Sequence, residues 1–312
     1  MKWIKKGLIF KTHQNFEWMQ SHSQCPLVEQ ISEDVLRIYF GTRDSFNRTT
    51  TTFIEVDAHN PKKVLHINEK PVIGLGKKGK FDDMGAMPSW IANFNNKKYF
   101  YYIGWTERKP ERYHLSAGLA ISKDKGNSFR KTSEKPVMDS SGTDPFSVSP
   151  LAVLIEKNLW KAWYVSFTKW EKHGETLEPF YHIKYAESRN GTQWDRKGLV
   201  CIDFKSHLEG GITKPCVIKE NGQYKMWYCY RHATGYRENK KKSYRIGYAE
   251  SKDGLKWARK DEKSGITVSK KGWDSEMIAY PFVCKIGDKK YLFYNGNGFG
   301  TSGIGYAVLQ KQ

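Results

Sequence analysis

Five segments of the chain repeat one pattern, in which a proline enters an apolar run. Consecutive members are 62, 62, 65 and 66 residues apart, and the five positions are Pro26, Pro88, Pro150, Pro215 and Pro281. A polar turn and an aromatic segment follow each proline, and four of the five units continue into a third apolar segment. Alternating apolar residues bounded by Asn-Gly, Asp-Gly and Lys-Gly turns predict antiparallel strands joined in hairpins.

A repeat of this length is typical of one four-stranded blade of a β-propeller, and five repeats predict a five-bladed ring. Residues 3–10 resemble the outer strand that follows Trp194, whereas the C-terminus stops just after a third strand. We therefore expect residues 3–10 to complete the last blade and to cover a sheet edge. The predicted fold is all-β, a five-bladed β-propeller of four-stranded antiparallel blades in a single domain, 1–312. A β-sandwich is the alternative, but it leaves the five matched prolines unexplained.

The composition limits the partners and the compartment of the chain. The net charge is +19, from 52 Lys and Arg against 33 Asp and Glu, which favours anionic partners. No run of 18 uncharged apolar residues predicts a membrane span, and the N-terminal apolar run is too short for a signal peptide, so a cytoplasmic location is expected. The five scattered cysteines form no CxxC pair, which predicts neither disulfides nor a metal site, and no cofactor is expected. Nucleic acid is a disfavoured partner, because no recognition helix or basic-aromatic repeat is visible.

Carboxylates recur at one position of the repeat. Residues ahead of the prolines should line the mouth of the central funnel, and four of the five units place an acidic residue five or six positions before the proline. These residues are Asp82 and Asp83, Asp144, Glu209 and Glu276. Carboxylates crowded around one axis repel one another, so at least one should titrate high and act as an acid. Glycoside hydrolysis needs such a pair of carboxyl groups. The alternative is that these side chains cap turns where the strands begin.

The blade pattern resembles that of the five-bladed propeller glycosidases over the whole chain. It is carried by residues 224–228 and by residues 245–257, with the sequence RIGYAESKDGLKW. The arabinanases and β-xylosidases, the invertases and levansucrases, and the mannoside phosphorylases belong to this group. The resemblance implies that Glu209 is a general acid and that Asp144 orients substrate and tunes neighbouring pKa values. The Asp that the resemblance implies on the first blade is absent, since Gln20, Ser21 and His22 stand there. Either Asp82 or Asp83 replaces this base, or the hydrolytic mechanism does not carry over.

A second set of residues predicts an anion-binding wall. It follows the second strand of each unit at one register and consists of Arg43, Thr106, Thr168, Arg231 and Asn297. His22, Lys214 and Arg237 could extend this wall, and Trp105 and Tyr280 are further substrate-binding candidates. Arginine suits carboxylate or phosphate, and the resemblance to the phosphorylases implies a phosphate site. The alternative is that the arginines pair with the carboxylates of the preceding paragraphs.

The predicted function is the cleavage of a glycosidic bond in an acidic or phosphorylated glycan, by carboxylate acid/base catalysis in the central funnel. One alternative is a glycoside phosphorylase or glycosyl-transferring relative that uses the basic residues to bind phosphate. Another is a propeller that binds a glycan without turning it over.

Overall fold

In the computed structural model, which describes residues 1–14 and 16–310, the chain forms twenty strands and two short helical turns. The helical turns are a 3₁₀ turn, Asp261–Lys263, and α1, Asn297–Gly300. Antiparallel pairings divide the strands into five groups of four, here called sheets 1 to 5, and one parallel residue pair joins sheet 1 to sheet 2 and another joins sheet 3 to sheet 4. Each sheet contains one of the repeat prolines in its first strand, so the sheets correspond to the five sequence repeats. The predicted all-β fold is confirmed.

Sheets 1 to 4 each use four strands that are consecutive in the chain, whereas β1 (Trp3–Phe10) belongs to sheet 5. Sheet 1 consists of β2 (Ser21–Gln30), β3 (Val35–Arg43), β4 (Thr49–Asp57) and β5 (Val64–Ile67). Sheet 2 consists of β6 (Gly85–Phe94), β7 (Lys97–Glu107), β8 (Tyr113–Ser122) and β9 (Arg130–Lys131). Sheet 3 consists of β10 (Val148–Glu156), β11 (Leu159–His173), β12 (Thr176–Ser188) and β13 (Val200–Ile202). Sheet 4 consists of β14 (Glu209–Glu220), β15 (Gln223–His232), β16 (Arg245–Ser251) and β17 (Ala258–Arg259).

Sheet 5 joins the two ends of the chain. It consists of β18 (Ala279–Ile286), β19 (Lys289–Asn295), β20 (Ile304–Leu309) and the N-terminal strand β1. β1 pairs antiparallel with β20, with Trp3 opposite Leu309 and Phe10 opposite Ile304. The prediction that residues 3–10 supply the outer strand is therefore confirmed. This pairing covers the edge that β20 would otherwise expose.

The first strands of the five sheets form a closed ring. Each first strand packs against the first strand of the next sheet, and β18 packs against β2. The core contains many aromatic side chains, among them the fully buried Trp160, Trp163 and Trp227, which belong to one hydrophobic cluster. The ring brings equivalent positions of the first strands together around one axis.

A β-bulge interrupts the pairing at or next to every repeat proline. In sheet 4, for example, the register shifts between Thr213 and Cys216, on either side of Pro215. Proline lacks the N–H that a regular ladder needs, so it is tolerated where a bulge breaks the ladder. The residue before the proline has a positive φ in four of the five sheets: Cys25 (56°), Ser149 (111°), Lys214 (52°) and Tyr280 (58°). Bulges of this kind change the direction of a side chain.

Tyrosine–carboxylate hydrogen bonds tie the second strands to the segments that precede the first strands. Tyr102 donates to Asp82 (2.9 Å) and Tyr294 donates to Asp274 (2.9 Å). A lysine reaches each of these two buried carboxylates, Lys131 at 2.6 Å and Lys5 at 2.7 Å. The Lys5 contact comes from β1, so the terminal strand also holds sheet 5 through a charge pair.

We expect Tyr294→Phe to lower the free energy of unfolding by about 1.5–3 kcal/mol, the usual contribution of a hydrogen bond to a charged group. The substitution keeps the ring and removes only the hydroxyl that donates to Asp274. Urea denaturation monitored by tryptophan fluorescence measures the change. Tyr99→Phe serves as the control, because no hydrogen bond from the Tyr99 hydroxyl is found among the described residues. Equal stability of the two variants would contradict a contribution from the carboxylate contact.

Candidate functional site

A pocket of about 320 Å³ lies on the axis of the ring. Its floor includes the residue directly before each repeat proline, namely Cys25, Met87, Ser149, Lys214 and Tyr280. The bulges and the positive φ values explain this convergence, because they turn these side chains away from the regular ladder. The volume is at the lower end of the range for small-molecule sites.

Aromatic side chains form most of the wall of the pocket. They come from second and third strands and from the loops that follow them: Trp105, Tyr113, Phe167, Tyr181, Tyr236, Tyr244 and Phe299. Tyr181 packs against Phe167 with ring centroids 4.7 Å apart and an interplanar angle of 39°, and its hydroxyl hydrogen-bonds to that of Tyr244. Such faces can stack on the apolar face of a sugar ring, and the hydroxyls offer polar contacts at the edge.

Three cations line the pocket without a carboxylate partner. Among the described residues, Arg43, Lys214 and Arg237 form no ion pair, and no Asp or Glu lines the pocket with them. Lys214 is fully buried, and its Nζ donates to the carbonyl oxygen of Ser89 (2.8 Å), across the ring in sheet 2. The Nε of Arg43 is buried without a hydrogen-bond partner. Arg237 is exposed, whereas Arg43 is half-buried and Lys214 is buried. Buried charges are normally paired, so Arg43 and Lys214 are suited to an anionic ligand.

The pKa shifts differ among the cations of the pocket. Burial lowers the pKa of Lys214, and burial together with the charge of Arg237 lowers the pKa of Arg43. Burial also opposes the charge of Arg237, but Tyr236 and other neighbours outweigh it and raise the pKa of Arg237. Burial and then the charge of Arg43 lower the pKa of His22 to about 4. An anion bound beside Arg43, Lys214 and His22 would raise the pKa of each of them.

The low pKa of His22 makes stability depend on pH below neutrality. In the unfolded chain a histidine takes up its proton near pH 6.5, whereas folded His22 does so near pH 4. The unfolded state therefore binds more protons between these values, and this contribution to stability is lost as the pH falls from about 6.5 to about 4. We expect His22→Gln to lose less stability than the wild type between pH 7 and pH 4.5, as measured by urea denaturation. An identical loss in both proteins would contradict the assignment.

The predicted catalytic carboxylates do not line the pocket, and other groups bind several of them. Asp82 is buried between Tyr102 and Lys131, as described above. Asp144 is fully buried and accepts hydrogen bonds from Tyr164, Lys184 (3.2 Å) and Arg196 (3.0 Å). Burial raises the pKa of Asp144, but hydrogen-bond donors and these two charges outweigh it and lower the pKa overall. A carboxyl held in its charged form away from the pocket is poorly suited to act as an acid.

The other three carboxylates also lie outside the pocket lining. Glu209 accepts two hydrogen bonds from Arg259 (2.7 and 3.0 Å). Asp83 accepts the backbone N–H of Gly79 (2.8 Å), and Glu276 is exposed. The repeat thus places carboxylates at equivalent positions, as predicted, but they are not brought together around the axis. The alternative that the predicted arginines pair with these carboxylates is not found among the described residues, since Glu209 pairs with Arg259, which is not one of those arginines.

The predicted substrate-binding residues divide into two groups. The pocket is lined by Arg43, Trp105, Lys214, Arg237 and Tyr280, whereas His22, Thr168, Arg231 and Asn297 do not line it. Thr168 donates to the carbonyl of Phe180. Arg231 is 1% exposed and supports the wall from behind, donating to the Tyr181 hydroxyl (3.0 Å) and the carbonyl of Pro179 (2.6 Å). Asn297 accepts backbone N–H groups of Glu276 and Met277 in a turn.

Glu178 and Tyr236 were not singled out by the sequence. Glu178 lies near the start of β12, and its carboxylate accepts a hydrogen bond from the hydroxyl of Tyr236 (2.8 Å). Of the carboxylates that the structure describes, it alone hydrogen-bonds to a side chain that lines the pocket. The available signal was the length of the β11–β12 hairpin, whose strands are the longest in the chain.

The described residues contain no cluster of three or more His, Cys, Asp or Glu side chains that could hold a metal ion. Within the same part of the chain, no helix has the length and apolarity needed to cross a membrane.

Comparison with known proteins identifies relatives in sequence and in fold. No protein-family model matches the chain. Two proteins of Mycobacterium tuberculosis, the uncharacterized proteins MT1551 and Rv1502, are each 35% identical over 312 residues, which is the full length of both partners.

Solved structures with the same fold are glycoside hydrolases. One, described as a glycoside hydrolase, has a TM-score of 0.73 at 18% identity and covers 99% of this chain and 92% of its own. A thermostable family-43 glycoside hydrolase has a TM-score of 0.63 at 17% identity, with 97% and 94% covered. A Bombyx mori β-fructofuranosidase in complex with sucrose has a TM-score of 0.61 at 13% identity, with 97% and 61% covered. The chain therefore belongs to the family of the two mycobacterial proteins, and it shares its fold with these glycoside hydrolases of known structure.

Proposed function

We propose that the protein is a glycosidase-like enzyme that acts on a carbohydrate carrying an anionic group, which binds in the central pocket. The observation that carries this proposal is the set of three lining cations without an ion-pair partner among the described residues. Outside the pocket, Arg37 and Lys184 have carboxylate partners, Glu55 and Asp144, and the buried Arg231 donates to a hydroxyl and to carbonyl oxygens instead. Cations kept unpaired in a concave site are placed to meet a carboxylate or phosphate of a ligand.

A sugar ring fits the remaining surface of the pocket. The aromatic side chains of the wall offer faces for stacking. Among the five floor residues, Ser149 contributes an aliphatic hydroxyl and Cys25 contributes a thiol. The glycosidase superfamily fold supports a carbohydrate as the substrate class, and the cations support its negative charge. Single-domain organisation of residues 1–312 is part of the same proposal, because the ring uses strands from both ends of the chain.

Phosphorolysis is the second candidate, and the absence of a carboxylate from the described lining residues favours it. Hydrolysis needs a group that activates water. In phosphorolysis the attacking oxygen belongs to phosphate, which the cations would hold and which is already anionic. Phosphate and an anionic sugar group would both bind to the same cations. Binding therefore does not distinguish the two candidates, and product analysis does.

The test is a product assay by mass spectrometry on uronate-containing, sulfated, phosphorylated and neutral oligosaccharides. Each is incubated with and without inorganic phosphate at about 10 mM, which exceeds typical KM values. We expect cleavage of anionic but not neutral members. Products without phosphate support hydrolysis, whereas sugar 1-phosphates that appear only with phosphate support phosphorolysis. Binding of anionic sugars without any turnover would overturn the enzymatic proposal and favour a glycan-binding propeller. Cleavage of neutral sugars alone would overturn the anionic substrate class.

A further inference from the structure

Tyr236 occupies an unusual place in the pocket wall. It lies in the loop between β15 and β16, next to the pocket cation Arg237, and is 3% exposed. The guanidinium of Arg231 lies 3.8 Å from the centroid of its ring, and that of Arg237 lies 4.9 Å away. Two positive charges close to one phenol ring stabilise negative charge on its oxygen.

The hydroxyl of Tyr236 is joined to a buried base. It donates to the Oε2 of Glu178 at 2.8 Å, and Glu178 itself is 7% exposed. The other carboxylate oxygen, Oε1, faces the Nη2 of Arg112 at 3.5 Å, which orients the carboxylate. A nucleophile within hydrogen-bond reach of a base, with the base oriented by a third group, is the arrangement found in covalent catalysis.

The charge of the pocket explains why a tyrosine suits this place. A carboxylate that attacked an anionic sugar would be repelled by the negative group of the substrate, whereas a neutral phenol is not. Tyrosine is known as the nucleophile of some glycosidases. Burial raises the pKa of Tyr236, so the phenol keeps its proton until a base takes it during attack.

We propose that Tyr236 is the nucleophile of this pocket and that Glu178 is the base that accepts its proton; this inference rests on the proposed glycosidase-like function. In the first step the bond between Tyr236 Oη and the anomeric carbon forms, and the phenol proton passes to Glu178. The bond from the anomeric carbon to the leaving oxygen breaks, and its electron pair leaves with that oxygen. In the second step water attacks the anomeric carbon and releases one proton to solvent, while the oxygen of Tyr236 departs and takes back the proton from Glu178.

The probes are 2,4-dinitrophenyl 2-deoxy-2-fluoro glycosides of the uronic acids and sugar phosphates in the product assay. Their leaving group departs as an anion without protonation, and the fluorine slows the second step, so a covalent intermediate accumulates. We expect the intact mass of the wild type to rise by one fluoroglycosyl unit, and peptide mapping to place it on Tyr236. Tyr236→Phe should remain unlabelled, and Glu178→Gln should be labelled about 100–10,000-fold more slowly, the usual contribution of a general base.

Tyr294→Phe is the matched control, because it also removes a hydroxyl bonded to a buried carboxylate but lies in sheet 5, outside the pocket lining. It should be labelled at the wild-type rate. Formate should partly restore labelling in Glu178→Ala, which a purely structural role of Glu178 does not predict. Thermal unfolding of each variant confirms that it is folded.

The outcomes separate this inference from the function on which it rests. Turnover by the wild type together with wild-type turnover by Tyr236→Phe, or a label on another residue, overturns the tyrosine nucleophile but leaves the proposed function standing. No turnover and no labelling of the wild type, with anionic sugars still bound, overturns both.

Discussion

Replacement of Asp144 by alanine is expected to lower the free energy of unfolding by about 3–5 kcal/mol, the usual cost of breaking a buried ion pair on one side. Asp144 is fully buried, and it neutralises Lys184 and Arg196 together. Its removal leaves two cations without their counter-charge, and Lys184 is itself buried. Urea denaturation at pH 7 measures the loss. The wild-type contribution should disappear on acidification, because a lowered carboxylate pKa stabilises the fold above the unfolded pKa and is lost as the carboxylate becomes protonated.

Asp195→Ala is the control for this prediction. Asp195 has an exposed side chain that contacts only Lys197 at 3.3 Å, so its replacement should change stability by no more than about 0.5 kcal/mol. Asp144→Asn distinguishes a structural role from a catalytic one. If Asp144 acted as an acid on substrate, the amide would abolish turnover while the protein kept its stability, and the structural assignment would be wrong.

The repeat made the fold predictable, because the proline register and the N-terminal strand are properties of the sequence itself. Five evenly spaced prolines require five equivalent strands, and residues 3–10 match the strand that sheet 5 lacks. Arg43, which the same periodicity singled out, and Lys214 both line the pocket, and their role in binding stays a prediction.

The identity of the residues that reach the pocket was less predictable. The predicted carboxylates do recur at one register, but groups outside the pocket pair with several of them, as Tyr102 and Lys131 do with Asp82 and Arg259 does with Glu209. The bulge at each proline turns the adjacent residue, such as Ser149 or Tyr280, toward the axis instead. A backbone reversal of this kind depends on local φ values, which spacing does not encode.

The contact between Glu178 and Tyr236 joins two positions 58 residues apart in different sheets. Neither lies at a repeated register, since one belongs to the extended β12 strand and the other to the loop before β16. Only the packing of sheets 3 and 4 brings them together, so no periodic signal could have paired them.

Arg43→Met is expected to weaken the binding of glucuronate and of inorganic phosphate about 10–100-fold and to leave the binding of neutral glucose unchanged. A hydrogen bond to a charged group contributes about 1.5–3 kcal/mol, and each 1.4 kcal/mol corresponds to a factor of about ten in Kd. Isothermal titration calorimetry at low and high salt measures the effect, and the salt dependence of affinity should be smaller in the variant. Arg189→Met, at an exposed arginine outside the pocket lining, is the control.

Loss of Arg43 should leave the free energy of unfolding unchanged or raise it, whereas loss of Asp144 should lower it. Arg43 lacks an ion-pair partner among the described residues, and burial lowers its pKa. Its charge therefore lowers the free energy of unfolding of the protein when no anion is bound. Methionine retains the apolar stem without that charge, and we expect the free energy of unfolding of Arg43→Met to equal or exceed that of the wild type. Removal of a cation that stabilises the fold lowers the free energy of unfolding, whereas removal of a cation retained for a ligand does not. Unchanged anion binding combined with lost stability would reverse this assignment and make Arg43 a structural residue.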